Sequence, residues 1–78
     1  MNHNLREMEM NLKMYLQHHY GSLTACAEAI EVSRSTLHNY VTKDPEGVLR
    51  HTSRLMKQQG IEPQELIQAV FTTQSQLK

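Results

Sequence analysis

No tryptophan occurs in the chain, and phenylalanine and cysteine occur once each. A lone cysteine, Cys26, excludes an intramolecular disulfide and leaves no thiolate cage for a structural metal, so neither oxidation nor zinc is expected to hold the fold. No apolar run comes near the roughly 18 residues of a membrane span, and no basic segment followed by an apolar stretch opens the chain in the manner of a secretory signal. The expected compartment is therefore the cytoplasm. Charge of either sign is also not in excess, since eight Lys and Arg meet eight Asp and Glu among 78 residues. That length allows one modest core and no separate catalytic domain.

The two prolines and three glycines punctuate a helical pattern. Leu5, Met8, Leu12, Tyr15, Leu16 and His19 recur at spacings of three and four, which predicts an amphipathic helix over residues 4–19, closed by Tyr20 and Gly21. Ser22 is placed to cap an alanine-rich helix over 23–30, and Ser33 to cap a third helix through Val41. A breaker over 42–47 follows, in which Asp44 is expected to cap and Pro45 to occupy the first turn of the next helix. Val48, Leu49, Thr52, Leu55, Met56 and Gln59 form a fourth stripe that Gly60 ends. A fifth helix from Glu62-Pro63 carries Leu66, Ile67, Val70, Phe71 and Leu77 as its apolar face. No strand alternation, repeat or low-complexity linker interrupts the series. The expected fold is all-α, a single domain over residues 1–78 built as a bundle of about five short helices.

Residues 23–42 meet the demands of two helices crossing over a short turn. Ala27 is small where the second helix must approach, Ile30 and Val32 bracket the turn, and Leu37, Tyr40 and Val41 make an inward face. With Leu37 inward, rotation of about 100° per residue sends Ser35, His38, Asn39 and Thr42 outward, and Arg34 projects from the first turn. This outward set is short, polar and free of acids, as a surface facing a polyanion requires. Arg34 suits bidentate bonding to guanine and Asn39 to adenine, while Ser35, His38 and Thr42 can also reach base edges. The neutral total conceals segregation: from Val32 to Gln59 five bases (Arg34, Lys43, Arg50, Arg54, Lys57) face two acids (Asp44, Glu46), a local +3. Ser22 and Thr24 at the start of one helix, with Lys43, Arg50 and Arg54, are candidate phosphate contacts.

The stretch over residues 27–40, Ala-Glu-Ala-Ile-Glu-Val-Ser-Arg-Ser-Thr-Leu-His-Asn-Tyr, resembles the helix-turn-helix of the lambda-type Cro and repressor family of small phage and bacterial transcription regulators. The likeness lies in the small Ala27, the aliphatic Val32 and Leu37 and the aromatic Tyr40. It implies base contact by Arg34, Ser35 and Asn39, and operator binding in the major groove of double-stranded DNA. The family usually has glycine in the turn where this chain has Glu31, a substitution costing about 1–2 kcal/mol in a left-handed conformation. A homodimer is expected, because one helix reads only a few base pairs. Cofactors, metals and catalysis are not expected.

Two alternatives keep the helices and change what they do. One is an antitoxin or excisionase-type DNA-binding accessory protein, the other a helical protein–protein interaction module. Met10 and Met14, off the main stripe, and Phe71 with Val70 suggest apolar surface for a protein partner. His18-His19 with Cys26 contains metal-ligand types, but adjacent helical histidines diverge by about 100°. His19 reads as a half-buried helix-end residue, Cys26 as core and Ser33 as a cap.

Overall fold

Asn11 starts the first helix of the chain that can be described: its side chain accepts from the Met14 amide at 2.9 Å while its own backbone is extended. The computed structural model describes residues 10–77. Five α-helices follow in order: α1 (Leu12–Tyr20), α2 (Leu23–Ile30), α3 (Arg34–Thr42), α4 (Thr52–Gln59) and α5 (Pro63–Gln76), with a 3-10 segment, Pro45–His51, between α3 and α4. No strand occurs among the described residues. The Cα radius of gyration is 11.7 Å, near the value for a packed domain of this length.

Each boundary has a local cause. The Ser22 and Ser33 hydroxyls accept from the Ala25 and Thr36 amides, both at 3.0 Å, and so open α2 and α3. Gly21 and Gly60 turn α1 and α4 off at positive φ, 90° and 63°, which a side chain would resist. Pro45 and Pro63 each stand at the first turn of a helical segment, where the missing amide costs nothing.

Leu12, Leu16, Cys26, Ile30, Leu37, Val48, Leu55, Ile61, Leu66 and Val70 form the core, with Tyr15, Ala27, Tyr40, Val41 and Ala69 around them. α1 and α5 run antiparallel, laced by three hydrogen bonds. Asn11 Nδ2 donates to Gln76 Oε1 (3.2 Å), the Leu12 amide to Thr73 Oγ1 (2.8 Å) and the Tyr15 hydroxyl to Glu65 Oε1 (2.9 Å). Burial together with Glu65 pushes the Tyr15 phenol well above its usual range, so it stays a donor. Cys26 is fully buried and its thiol is pushed up to about 11 by desolvation, as a small core residue should be.

Five expectations are corrected. α1 begins at Leu12, because Asn11 turns its side chain back on the amides of the first turn; Leu5 and Met8 lie outside the described residues. Asp44 makes no side-chain cap, and residues 45–51 wind as a 3-10 segment, so Val48 and Leu49 reach the core from outside α4. On α5 the buried face is Leu66, Ala69, Val70 and Thr73, whereas Ile67 and Phe71, and Leu77 just past the helix end, are exposed. The small Ala69 and Thr73 face inward because α1 lies close there, and the Thr73 hydroxyl is consumed by α1. Met10 packs against the core, leaving Met14 as the exposed methionine of the pair, and on α4 Met56 and Gln59 point outward.

Candidate nucleic-acid interface

Three residues, Glu31 to Ser33, separate α2 from α3. Glu31 adopts φ 62°, ψ 42°, the left-handed conformation expected at the position where the resembling family has glycine. Its amide donates to the Glu28 carbonyl at 3.3 Å and the Val32 amide to the Ala27 carbonyl at 3.0 Å, so the end of α2 closes as a Schellman turn. Ala27 and Ile30 on one side and Leu37, Tyr40 and Val41 on the other are buried, and Val32 is half-buried between them. These contacts fix which way α3 faces.

Outside help holds the strained turn. From α4, Arg54 Nη1 donates to the Ile30 carbonyl at 3.1 Å and stands 3.4 Å from Glu31 Oε1. One turn later Gln58 Nε2 donates to the Ala29 carbonyl at 2.8 Å, and Gln58 Oε1 accepts from the Tyr20 hydroxyl at 2.9 Å. The last carbonyls of a helix have no partner within it, and two side chains of α4 supply them here. These roles were not foreseen in the sequence. Their spacing of four on a polar helix face was the available signal, and what they would touch was not.

Arg34, Ser35, His38 and Asn39 are exposed on α3, with no acid on that helix. Thr24 from the start of α2 joins Arg34, Ser35 and His38 around a groove of about 480 Å³, floored by Leu23 and Leu37. The structure thus brings one predicted phosphate contact beside three predicted base contacts. Asn39 lies a turn beyond Ser35 on the same helix and does not line the groove. Ser22 stands two residues before Thr24, its oxygen already accepting an amide. Thr42 is half-buried near the far end of α3 and its hydroxyl donates to the His38 carbonyl at 2.7 Å, which commits its proton. Lys43 is exposed just past that end.

Arg50 and Arg54 belong elsewhere. With Ile30, Glu31, His51, Ser53 and Lys57 they line a second groove of about 520 Å³ at the C-terminal end of α2, whereas the first groove lies at its N-terminal end. His51 also connects the 3-10 segment to α3, its Nε2 lying 3.2 Å from the half-buried Tyr40 hydroxyl. Burial, then Arg54 and Arg50, hold its imidazole below the usual range.

No family model, characterised protein or solved structure matches this chain. Its own geometry must carry any functional reading. Among the described residues no cluster of three or more His, Cys, Asp and Glu is arranged to hold a metal ion, and no helix is long and apolar enough to cross a membrane. His18 and His19 stack edge to face with centroids 5.4 Å apart, and burial, then His18, lowers the affinity of His19 for a proton.

Proposed function

We propose that the chain is a sequence-specific DNA-binding regulator of transcription, a binding protein and not an enzyme, which lays α3 in the major groove of an operator. The observation that carries this reading is the exposed, acid-free face of Arg34, Ser35, His38 and Asn39, continuous with Thr24 at the start of α2. Short polar side chains let the helix approach base edges closely. A guanidinium and a carboxamide supply bidentate partners for guanine and adenine, while Ser22 and Thr24 lie where a phosphate would seat against the start of α2. Two copies related by a twofold axis would present two such helices about 34 Å apart to paired half-sites. Occupation of the operator in the cytoplasm, blocking polymerase as a Cro-type phage or prophage repressor does, is the mode of action that the resemblance favours.

Titration of the full chain against a fluorescent duplex from upstream of its gene, with unrelated DNA as control, tests the reading. Fragment-selective binding that weakens as salt rises is expected. Arg34→Ala and Asn39→Ala should each cost about 1–3 kcal/mol on the selected fragment and little on the control. Equal weak binding to both fragments, unaffected by either substitution, refutes it.

A second reading rests on the exposed Phe71 and Ile67 of α5, Leu77 just past its end and Met14 of α1. Apolar side chains of this size in solvent suit contact with another protein, as in an antitoxin or excisionase-type accessory factor. Loss of partner binding in Phe71→Ser with DNA affinity retained would favour it.

A further inference from the structure

Arg54–Glu31 is the only ion pair among the described residues, and its partners are 45% and 76% exposed. Arg50 and Lys57, exposed in the same groove, have no carboxylate within bonding reach among those residues, and Ser53 adds a hydroxyl to the lining. The groove these side chains line therefore carries three fixed cations against one carboxylate. It also has a rigid element, because the Arg54 guanidinium is anchored on the Ile30 carbonyl, so less side-chain freedom is lost when it binds. It shares no residue with the groove beside Arg34.

We infer that the groove of Arg50, Ser53, Arg54 and Lys57 is a phosphate-binding site separate from the α3 reading face, filled either by a free phosphate-bearing small anion or by a backbone phosphate of nucleic acid. A phosphate oxygen here accepts from the guanidinium groups of Arg50 and Arg54, from the Lys57 ammonium and from the Ser53 hydroxyl. It competes with Glu31 for Arg54. Since Glu31 is the left-handed residue of the turn, occupancy acts directly on the segment that sets the start of α3. His51, in the same groove and with its proton affinity lowered by burial and then by Arg54 and Arg50, gains an opposing negative charge and so becomes a reporter of occupancy.

Two-dimensional amide NMR of the full chain, titrated at constant ionic strength with inorganic pyrophosphate and separately with a short duplex of arbitrary sequence, tests the site. Saturable shifts at the amides of His51, Ser53 and Lys57, with His51 titrating at higher pH in the bound form, are expected. Binding of whichever source saturates the site should weaken about a hundredfold in the double variant Arg50→Ala, Lys57→Ala, about tenfold for each of the two charge-assisted hydrogen bonds removed. Both side chains are exposed, so this variant should keep the wild-type fold. Arg54 is left in place because it supports the turn. Saturation by pyrophosphate identifies a free anion as the ligand, and saturation by the duplex alone identifies backbone phosphate; either supports the site. Shifts that never saturate with either source, or that persist unchanged in the double variant, overturn it. Neither result bears on whether α3 selects a sequence, which Arg34→Ala and Asn39→Ala address.

Discussion

Thr73 on α5 is buried, 3% exposed, and its hydroxyl accepts from the Leu12 amide at 2.8 Å. That amide belongs to the first turn of α1, where the helix provides no acceptor. Thr73→Val keeps the shape and deletes the acceptor. An unmet buried N–H costs about 1–3 kcal/mol, and the methyl that replaces the hydroxyl returns up to about 0.8 kcal/mol of apolar burial. The net expectation is a loss of about 0.2–2.2 kcal/mol, or about 1–18 °C in Tm at the 4–8 °C per kcal/mol of a domain this small. Thermal unfolding followed by circular dichroism measures it. Native-state hydrogen exchange locates it, since Leu12 should lose protection in Thr73→Val and keep it in Thr73→Ser. A Thr73→Val protein as stable as the wild type, or one whose Leu12 amide stays protected, would show that this bond does not tie α1 to α5 as argued.

Other consequences of the geometry can be checked beside it. Arg54→Ala should destabilise by about 1–2 kcal/mol, because it removes a charged donor from the Ile30 carbonyl as well as an exposed ion pair. Glu31→Ala, which removes the pair alone, should cost less than about 1 kcal/mol, and equal losses would argue against the carbonyl bond. A Cβ at Gly47 would overlap the Tyr40 ring, so Gly47→Ala should cost about 1–3 kcal/mol in denaturant unfolding; a neutral result would mean that the ring moves freely. Burial lowers the proton affinity of both His19 and His51 in the folded chain. The unfolded chain therefore binds more protons below its histidine pKa of about 6.5, and stability should fall as pH drops through that value, then level off below the folded pKa values. A Tm at pH 5.5 equal to or above that at pH 7.5 contradicts this, and titration of the imidazole resonances identifies which histidine fails.

What the sequence determined by itself was local. Ser22, Ser33, Gly60 and Pro63 fix helix ends through hydrogen bonds and backbone angles made within a few residues, and the inward stripe of Ala27, Ile30, Leu37, Tyr40 and Val41 follows from the 3.6-residue period. The exposed face of α3 follows from the same rotation, so Arg34, Ser35, His38 and Asn39 were legible as a set. The left-handed Glu31 was expected only through the likeness to a family with glycine at that position, and not from the residues around it. Tertiary structure decided what depends on neighbours distant in sequence. α1 starts at Leu12, where the capping side chain of Asn11 and Thr73 from 61 residues later satisfy the first turn together, although the apolar period runs on upstream. Ile67 and Phe71 fit the period of α5 as well as Ala69 and Thr73 do, and only the line of approach of α1 selects the smaller pair for burial. Arg50 and Arg54 carry the same charge as Arg34, but packing of α4 against the end of α2 gives them a groove of their own. Spacing along a helix specifies direction about its axis, and which surface that direction meets is fixed only when the helices pack.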